Sequence, residues 1–320
     1  MNRVTIRPCA AFFLAVLAAL WAGGCSPSRG QPPAALPDAS TPMASGTAAA
    51  ARPRPAARYC EAAGTATFSG GGAVIDYSNA NLGYVMVRCQ TGQGERLKVL
   101  VAHGEEQLYY DLSNDGRYDS YSLTCGDGTY SVTVYANLGG DQYTPVLTGS
   151  FQAALADEFA PYLVPNHYVR YDPGDDVLAL GSQLAQGAAG DLAVVDAAYQ
   201  YVISHIRYDD DKAAAAGAGQ LTGYVPSPDA TLSEQEGICF DYAALFAALL
   251  RSQGIPTRLV MGYVQPSGVY HAWNEVYITE IGWVNMQIYF DGTGWKLADT
   301  TFAASNGLSD ANTYDAIYRY

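Results

Sequence analysis

The sequence predicts an α+β protein in two folded parts, a small antiparallel β domain followed by a domain that mixes helices and strands. Three observations carry this. Over 59–150, short runs rich in Val and Tyr alternate with Gly, Asn and Asp turns and show no helical spacing. After 150 the composition shifts, and apolar residues recur at helical spacing in 191–206 and again in 237–252. From 257 onward strand-like runs return: "LVMGYV", "VYHAWNEVYI", "NMQIYF" and "GWKLAD". A chain of 320 residues, 49% of them hydrophobic, has enough apolar surface for one or two cores.

Taken in order, the chain starts with "MNRVTIRPCAAFFLAVLAALWAGGCS", where Arg3 and Arg7 precede an uncharged, mostly apolar run and small residues then lead into Cys25. This reads as an export signal over 1–24, with an apolar run too short for a comfortable membrane span. "AGGC" resembles the lipobox of bacterial lipoproteins, although Ala22 stands where Leu is usual. The resemblance implies that Cys25 is lipidated and holds the protein to a bacterial membrane on its extracytoplasmic side. The stretch 25–58, rich in Pro, Ala and Ser without a periodic apolar face, reads as a disordered tether. The net charge is −14, and removal of 1–24 takes two arginines and no acid. Such a balance argues against nucleic acid as a partner and against attraction to anionic lipid, so attachment would come from the lipid and not from charge.

Within 59–150 the clearest strands are "LGYVMVRCQ", "RLKVLVAH", "EQLYYDLS" and "GTYSVTVYAN". In the last of these Tyr130, Val132 and Val134 alternate with Ser131, Thr133 and Tyr135, as in a small antiparallel β-sandwich. Its expected role is to position the second domain or to bind a partner. "DLSNDGRYDSYS" places Asp111, Ser113, Asp115, Gly116 and Asp119 at the offsets of a calcium loop, but Ser122 stands where the closing Glu belongs. An Asp/Asn/Gly hairpin turn accounts for the same residues. Any two of Cys60, Cys89 and Cys125 could pair in an oxidising compartment, and their spacing is not that of a compact zinc site. No cofactor is expected.

The second domain is read over 151–320. Pro161 and Pro165 break its lead-in. A helix follows with Leu192, Val195, Ala198 or Tyr199, Val202 and Ile206 as its apolar stripe and Asp191 at its start. A long connection over 211–237 has room for a short helical piece at its alanines. In "GICFDYAALFAALLRSQGIP" the residues Ala243, Phe246, Ala247 and Leu250 share one helical face, and Gly254 and Pro256 stop the element. Cys239 falls in the first turn, where unpaired N–H groups and the helix dipole favour a thiolate and a developing oxyanion. Asp241 lies in the same turn, supporting the helix and opposing the thiolate. The plainer alternative is a buried structural cysteine.

Strict alternation in "VYHAWNEVYI" puts His271, Trp273, Glu275 and Tyr277 on one face and Ala272, Asn274, Val276 and Ile278 on the other. A hairpin around "DGTG" follows, with Asp299 at the end of its second strand. Cysteine, histidine and aspartate in this order can serve as nucleophile, base and orienter. Asp291, in the turn-like "FDGTG", is a rival for the acid. A metal site at Cys239 and His271 lacks further soft ligands nearby.

"GICFDYAALFAALLRSQGIPTRLVMGYV", "YHAWNEVYI" and "GWKLADTTF" together resemble the core of the transglutaminase-like superfamily of bacterial proteins. The resemblance covers 237–302 strongly and implies a papain-like α+β fold with Cys239 as nucleophile, His271 as base and Asp299 as orienter. It also implies thiol-dependent acyl transfer on peptide or protein amides, with hydrolysis ahead of amine-transferring crosslinking. Cell-wall peptide is a candidate substrate because of the compartment. Some members of the family lack activity, so a non-catalytic surface adhesion or binding module is the other class of function. Tyr224, Trp273 and Tyr263 are candidates to line a cleft, or else to pack as aromatic core.

Overall fold

The structure, a computed structural model, describes residues 4–5, 54–265, 268–279, 281–290, 295–298 and 313–320. Cys25, the tether up to 53, Asp291, Asp299 and all but 4–5 of the signal lie outside the described residues. The first half holds β1 (Val4–Thr5), β2 (Thr67–Gly70), β3 (Ala73–Asp76), β4 (Tyr84–Cys89), β5 (Leu97–His103), β6 (Glu106–Leu112), β7 (Asp119–Ser122), β8 (Gly128–Gly139) and β9 (Gln142–Ala153). They form two antiparallel sheets, ordered β1-β9-β8-β5-β6 and β2-β3-β4-β7. Val99, Val101, Val132 and Val134 of one sheet meet Ile75, Val85, Val87 and Cys89 of the other in a common core. Gly71 and Gly72 turn β2 into β3 with φ of 59° and 83°, the left-handed pair that a two-residue hairpin needs. Gly149 gives Phe68 its place between the sheets, since a Cβ there would stand 2.2 Å from the ring.

The second half holds α1 (Asp176–Leu184), α2 (Asp191–His205), β10 (Arg207–Tyr208), α3 (Asp210–Gly217), α4 (Pro228–Glu234), β11 (Glu236–Gly237) and α5 (Cys239–Ser252). It continues with β12 (Thr257–Gln265), β13 (Val269–Ile278), β14 (Gly282–Phe290), β15 (Trp295–Ala298) and β16 (Thr313–Arg319). The last five strands make one antiparallel sheet ordered β15-β14-β13-β12-β16. Helix α5 is its centrepiece, packed by α1, α2 and α4 and by β12, β13 and β14. Every residue of α5 except Phe240 is buried, which is wider than the single apolar face its spacing suggests. Four alanines, 243, 244, 247 and 248, keep its flanks slim enough for neighbours to close in on all sides. Gly181 of α1 makes one such approach: a Cβ there would lie 2.6 Å from Ser252 Oγ and 3.2 Å from the Leu249 carbonyl.

The structure revises two expectations for α2. Its buried side is Val194, Val195, Ala198, Tyr199 and Val202, while Leu192 is exposed. Gly190 is the N-cap, and Asp191 instead accepts hydrogen bonds from Arg54 (2.6 Å) and Thr279 Oγ1 (2.9 Å). A carboxylate with two tertiary donors gains more than one turned back on its own helix start. Helix α1 and helix α4 were not anticipated. In α4 the sequence does carry the signature, since Ser227 accepts from Ala230 N–H (3.3 Å) and Pro228 opens the first turn.

Arg251, fully buried near the end of α5, donates to the carbonyls of Thr257 (2.8 Å), Val164 (2.8 Å) and Tyr320 (2.9 Å). It thereby ties the helix to the stretch that follows β9 and to the residue after the last strand. At the same end of α5, Pro55 packs on Gly254, where a Cβ would meet the proline ring at 2.2 Å. No described helix is long and apolar enough to cross a membrane.

Candidate active site

The start of α5 is fixed before any chemistry is considered. Gly237 pairs with Tyr208 in the parallel β10–β11 ladder, and its carbonyl accepts from Asp209 N–H at 3.0 Å. Ile238 is the N-cap in extended conformation and has no side-chain acceptor of its own. Asp241 takes over that duty, accepting the Ile238 N–H at 2.9 Å. Gly237 is required here, because a Cβ would stand 2.6 Å from that of Asp241.

Strand β13 crosses α5 in a defined register. Asn274 Nδ2 donates to the Ala243 carbonyl of α5 at 3.0 Å, and the Ala272 N–H is directed at the Cys239 sulfur. Two residues along a strand span about 6.8 Å and four along a helix about 6 Å, so the two contacts match. His271, half-buried and next to Ala272, is thus carried to the start of α5 although 32 positions separate it from Cys239 in the sequence. Its ring stacks on the buried Trp273 at 6.5 Å, as strand alternation predicts. Gly262 faces His271 across the β12–β13 ladder and admits β16 on its other side, where a Cβ would fall 2.0 Å from the Asp315 carbonyl.

Cys239 is 9% exposed. Burial pushes its thiol up to about 11, and Asp241 adds to the rise, while the N–H groups of Ala272, Phe240 and Cys239 itself act the other way. The helix start therefore pulls in the expected direction, but desolvation outweighs it.

Asp241 is completely buried and receives three donors: the Ile238 N–H, Lys212 Nζ at 2.7 Å, and a very short hydrogen bond from Tyr224 OH. Lys212 also reaches Tyr224 OH at 2.6 Å. Burial raises the Tyr224 phenol first, and the Asp241 contact raises it further. Lys212 comes from α3, 29 positions before Asp241, and sequence reasoning passed over it. The run "DDDK" marks a helix start, and Asp209 does accept from Lys212 N–H at 2.8 Å, but no sequence signal says where the ammonium goes. Of the three cleft candidates, Tyr224 stands at this site, Trp273 is buried in the sheet, and Tyr263 packs across the strand pair on Tyr270 at 5.3 Å.

The calcium-loop residues do not converge. Asp111 pairs with Lys98 (2.9 Å), Asp115 with Arg117 (2.7 Å), and Asp119 with His167 (2.6 Å) and Arg170 (2.9 Å), while Ser113 is exposed. Among the described residues no group of three or more His, Cys, Asp or Glu could hold a metal ion. The stretch is a turn, with Gly116 at φ 79°. Cys60, Cys89, Cys125 and Cys239 are free thiols. A cavity of about 780 Å³ lies at the opposite end of α5 from Cys239, lined by Arg54, Pro55, Tyr59, Ser182, Ser252 and Gln253 among others.

Comparison with known proteins adds a family to this geometry. Residues 179–299 match the family model described as the transglutaminase-like superfamily. Protein-glutamine gamma-glutamyltransferase of Pseudomonas aeruginosa is 32% identical over 120 residues, covering 34% of this chain and 17% of that protein. Kyphoscoliosis peptidase of Mus musculus is 30% identical over 151 residues, covering 44% of this chain and 20% of that protein. This chain therefore spans no more than a fifth of the length of either relative. A solved protein from Cytophaga hutchinsonii aligns over 74% of this chain and 86% of its own, at 16% identity and a TM-score of 0.35. The helix that begins at Cys239 and the strand that carries His271 both lie within the matched span, so it is this part of the chain, residues 179–299, that is similar to the transglutaminase-like superfamily.

Proposed function

We propose that the protein transfers acyl groups from peptide or protein amides through a thioester at Cys239, with an amine as the favoured acceptor. The observation that carries this reading is the crossing of β13 over α5, held by Asn274 Nδ2 on the Ala243 carbonyl at 3.0 Å, since β13 is also the strand that bears His271. In the proposed cycle His271 takes the thiol proton and the sulfur attacks the amide carbon. The N–H of Cys239 supports the oxyanion. His271 then gives the proton to the departing amine or ammonia, and the carbon–nitrogen bond breaks to leave the thioester. An incoming amine attacks the thioester, its proton passes to His271, and the thiol is restored. Asp299 is assigned to orient the imidazole.

The acceptor is chosen by analogy with the Pseudomonas aeruginosa relative, whose name describes glutamyl transfer. Water as acceptor, giving proteolysis or deamidation, is the second reading, and the peptidase name of the mouse relative favours it. The deciding experiment incubates wild type and Cys239→Ala with a mixed peptide library and a tagged primary amine, read by mass spectrometry. Amine incorporation that vanishes in Cys239→Ala is the expected result. Cleavage or deamidation alone would move the assignment to hydrolysis, and equal products from both proteins would remove it. The proposal places this activity outside the cytoplasm of a bacterium, on a chain lipidated at Cys25. Metabolic labelling with an alkyne fatty acid should mark wild type and not Cys25→Ala.

A further inference from the structure

Asp241 sits two residues after Cys239 in the same helical turn, with none of its surface exposed. A carboxylate so placed opposes a thiolate, yet it cannot be dispensed with, because it caps α5 through the Ile238 N–H at 2.9 Å. Capping alone would be served by a neutral side chain. The neighbouring element supplies what capping does not need: Lys212 of α3 donates to Asp241 Oδ2 at 2.7 Å, and Tyr224 OH takes the other oxygen. Helix α3 is anchored for this purpose at its own start, where Asp209 caps Lys212 N–H at 2.8 Å and donates its own N–H to the Gly237 carbonyl at 3.0 Å.

We propose that Lys212 is a positioning residue for Cys239: its ion pair with Asp241 offsets the one carboxylate beside the sulfur and holds α3 against the start of α5. The catalytic meaning of this rests on the acyl-transfer reading; the electrostatic claim does not. Among the described residues, Asp241 of α5 acts on the sulfur, Lys212 of α3 and Tyr224 of the connection that follows are bonded to Asp241, and Tyr208 of β10 faces the sulfur with Asp209 and Asp210 near it; His271 comes from β13, which crosses the same helix. Burial raises the Tyr208 phenol, and the Cys239 thiolate beside it is the next cause, so these two groups repel when both are ionised. Among these described groups, Lys212 is the lasting cation.

The test is the rate of Cys239 alkylation by iodoacetamide in the full chain at fixed pH 8, followed by peptide mass spectrometry, which reports the thiolate fraction. Lys212→Met removes the cation and should slow labelling. Asp241→Asn removes the anion, keeps an amide oxygen for the cap, and should speed it. Each change should be about tenfold or more, since at an effective dielectric near 20 a unit charge still shifts a pKa by one unit from about 12 Å away. Lys212→Arg should restore the wild-type rate. A merely structural ion pair would shift both variants the same way, by loosening the turn, and that result overturns the proposal, as does an unchanged rate. If Lys212→Met does not fold, Asp241→Asn decides alone: unchanged or slower labelling refutes it. Amine incorporation by wild type is measured in parallel. Opposite labelling shifts without turnover would leave Lys212 in its role and remove the acyl-transfer reading, whereas turnover with no labelling shift would do the reverse.

Discussion

Single side chains decide where the candidate site forms. His271→Ala is expected to abolish amine incorporation and peptide cleavage while leaving the thermal midpoint within a few degrees of wild type, because the residue is only half-buried. Retained turnover in a folded His271→Ala protein would strip it of the role of base. Asn274 has the opposite profile. It is buried, and its amide reaches the Ala243 and Arg258 carbonyls at 3.0 and 3.2 Å, stitching helix to strand. Asn274→Ala should cost about 1–3 kcal/mol in urea unfolding and should also reduce turnover, since it loosens the crossing that brings His271 to Cys239. The sequence placed Asn274 on the face opposite His271 but gave it no task, because a polar residue on a strand does not announce a helix carbonyl as its acceptor. Lys212 was illegible for the same reason: its meaning depends on Asp241, which only the tertiary fold brings near.

At the scale of elements, legibility followed length and punctuation. Strand β13 has the bounds that alternation predicts, Val269–Ile278, because its ten residues repeat the pattern often enough to read. Helix α5 was readable because Gly237 and Gly254 bracket it. The strands β2, β3 and β7 have four residues each and offer too few repeats to read. Helix α1 contains Gly181, a poor helix former by propensity, which is there for its close approach to α5. Gly262 makes a similar demand between β12 and β16. Gly262→Ala should destabilise the protein by about 1–3 kcal/mol, seen as a lower urea midpoint, since the Asp315 backbone must move to admit the methyl group. A Gly262→Ala protein as stable as wild type would mean that β16 does not pair as described.

Across the whole molecule, the N-terminal sheets and the helix-bearing second half meet at a polar and aromatic junction. Tyr168 packs edge-on against Phe240 of α5 (5.3 Å) and Tyr320 (4.7 Å), and Tyr110 of β6 reaches Tyr320 at 5.4 Å. Asp119 of β7 pairs with His167 and Arg170 of the stretch between β9 and α1. Burial raises the Asp119 carboxyl, but the hydrogen bond and charge of His167 and the charge of Arg170 together hold it below the usual carboxylate value. A depressed carboxyl contributes stability above its unfolded pKa and loses it as pH falls through the folded value. Wild type should therefore lose urea resistance below about pH 4 more steeply than Asp119→Asn, and parallel curves for the two would count against this junction. The stretch just before His167 is bound to α5 by Arg251, which donates to the Val164 carbonyl and whose guanidinium burial pulls down to about 10.

Pro55 packs on Gly254 and Arg54 pairs with Asp191, which clasps the start of the continuously described chain onto the second half. Helix α5 is about 21 Å long at 1.5 Å per residue, with the sulfur at one pole and this clasp at the other. Residues 54 and 55 therefore join the fold at the pole of α5 opposite the thiol, and a substitution at the clasp reaches Cys239 only through the length of that helix.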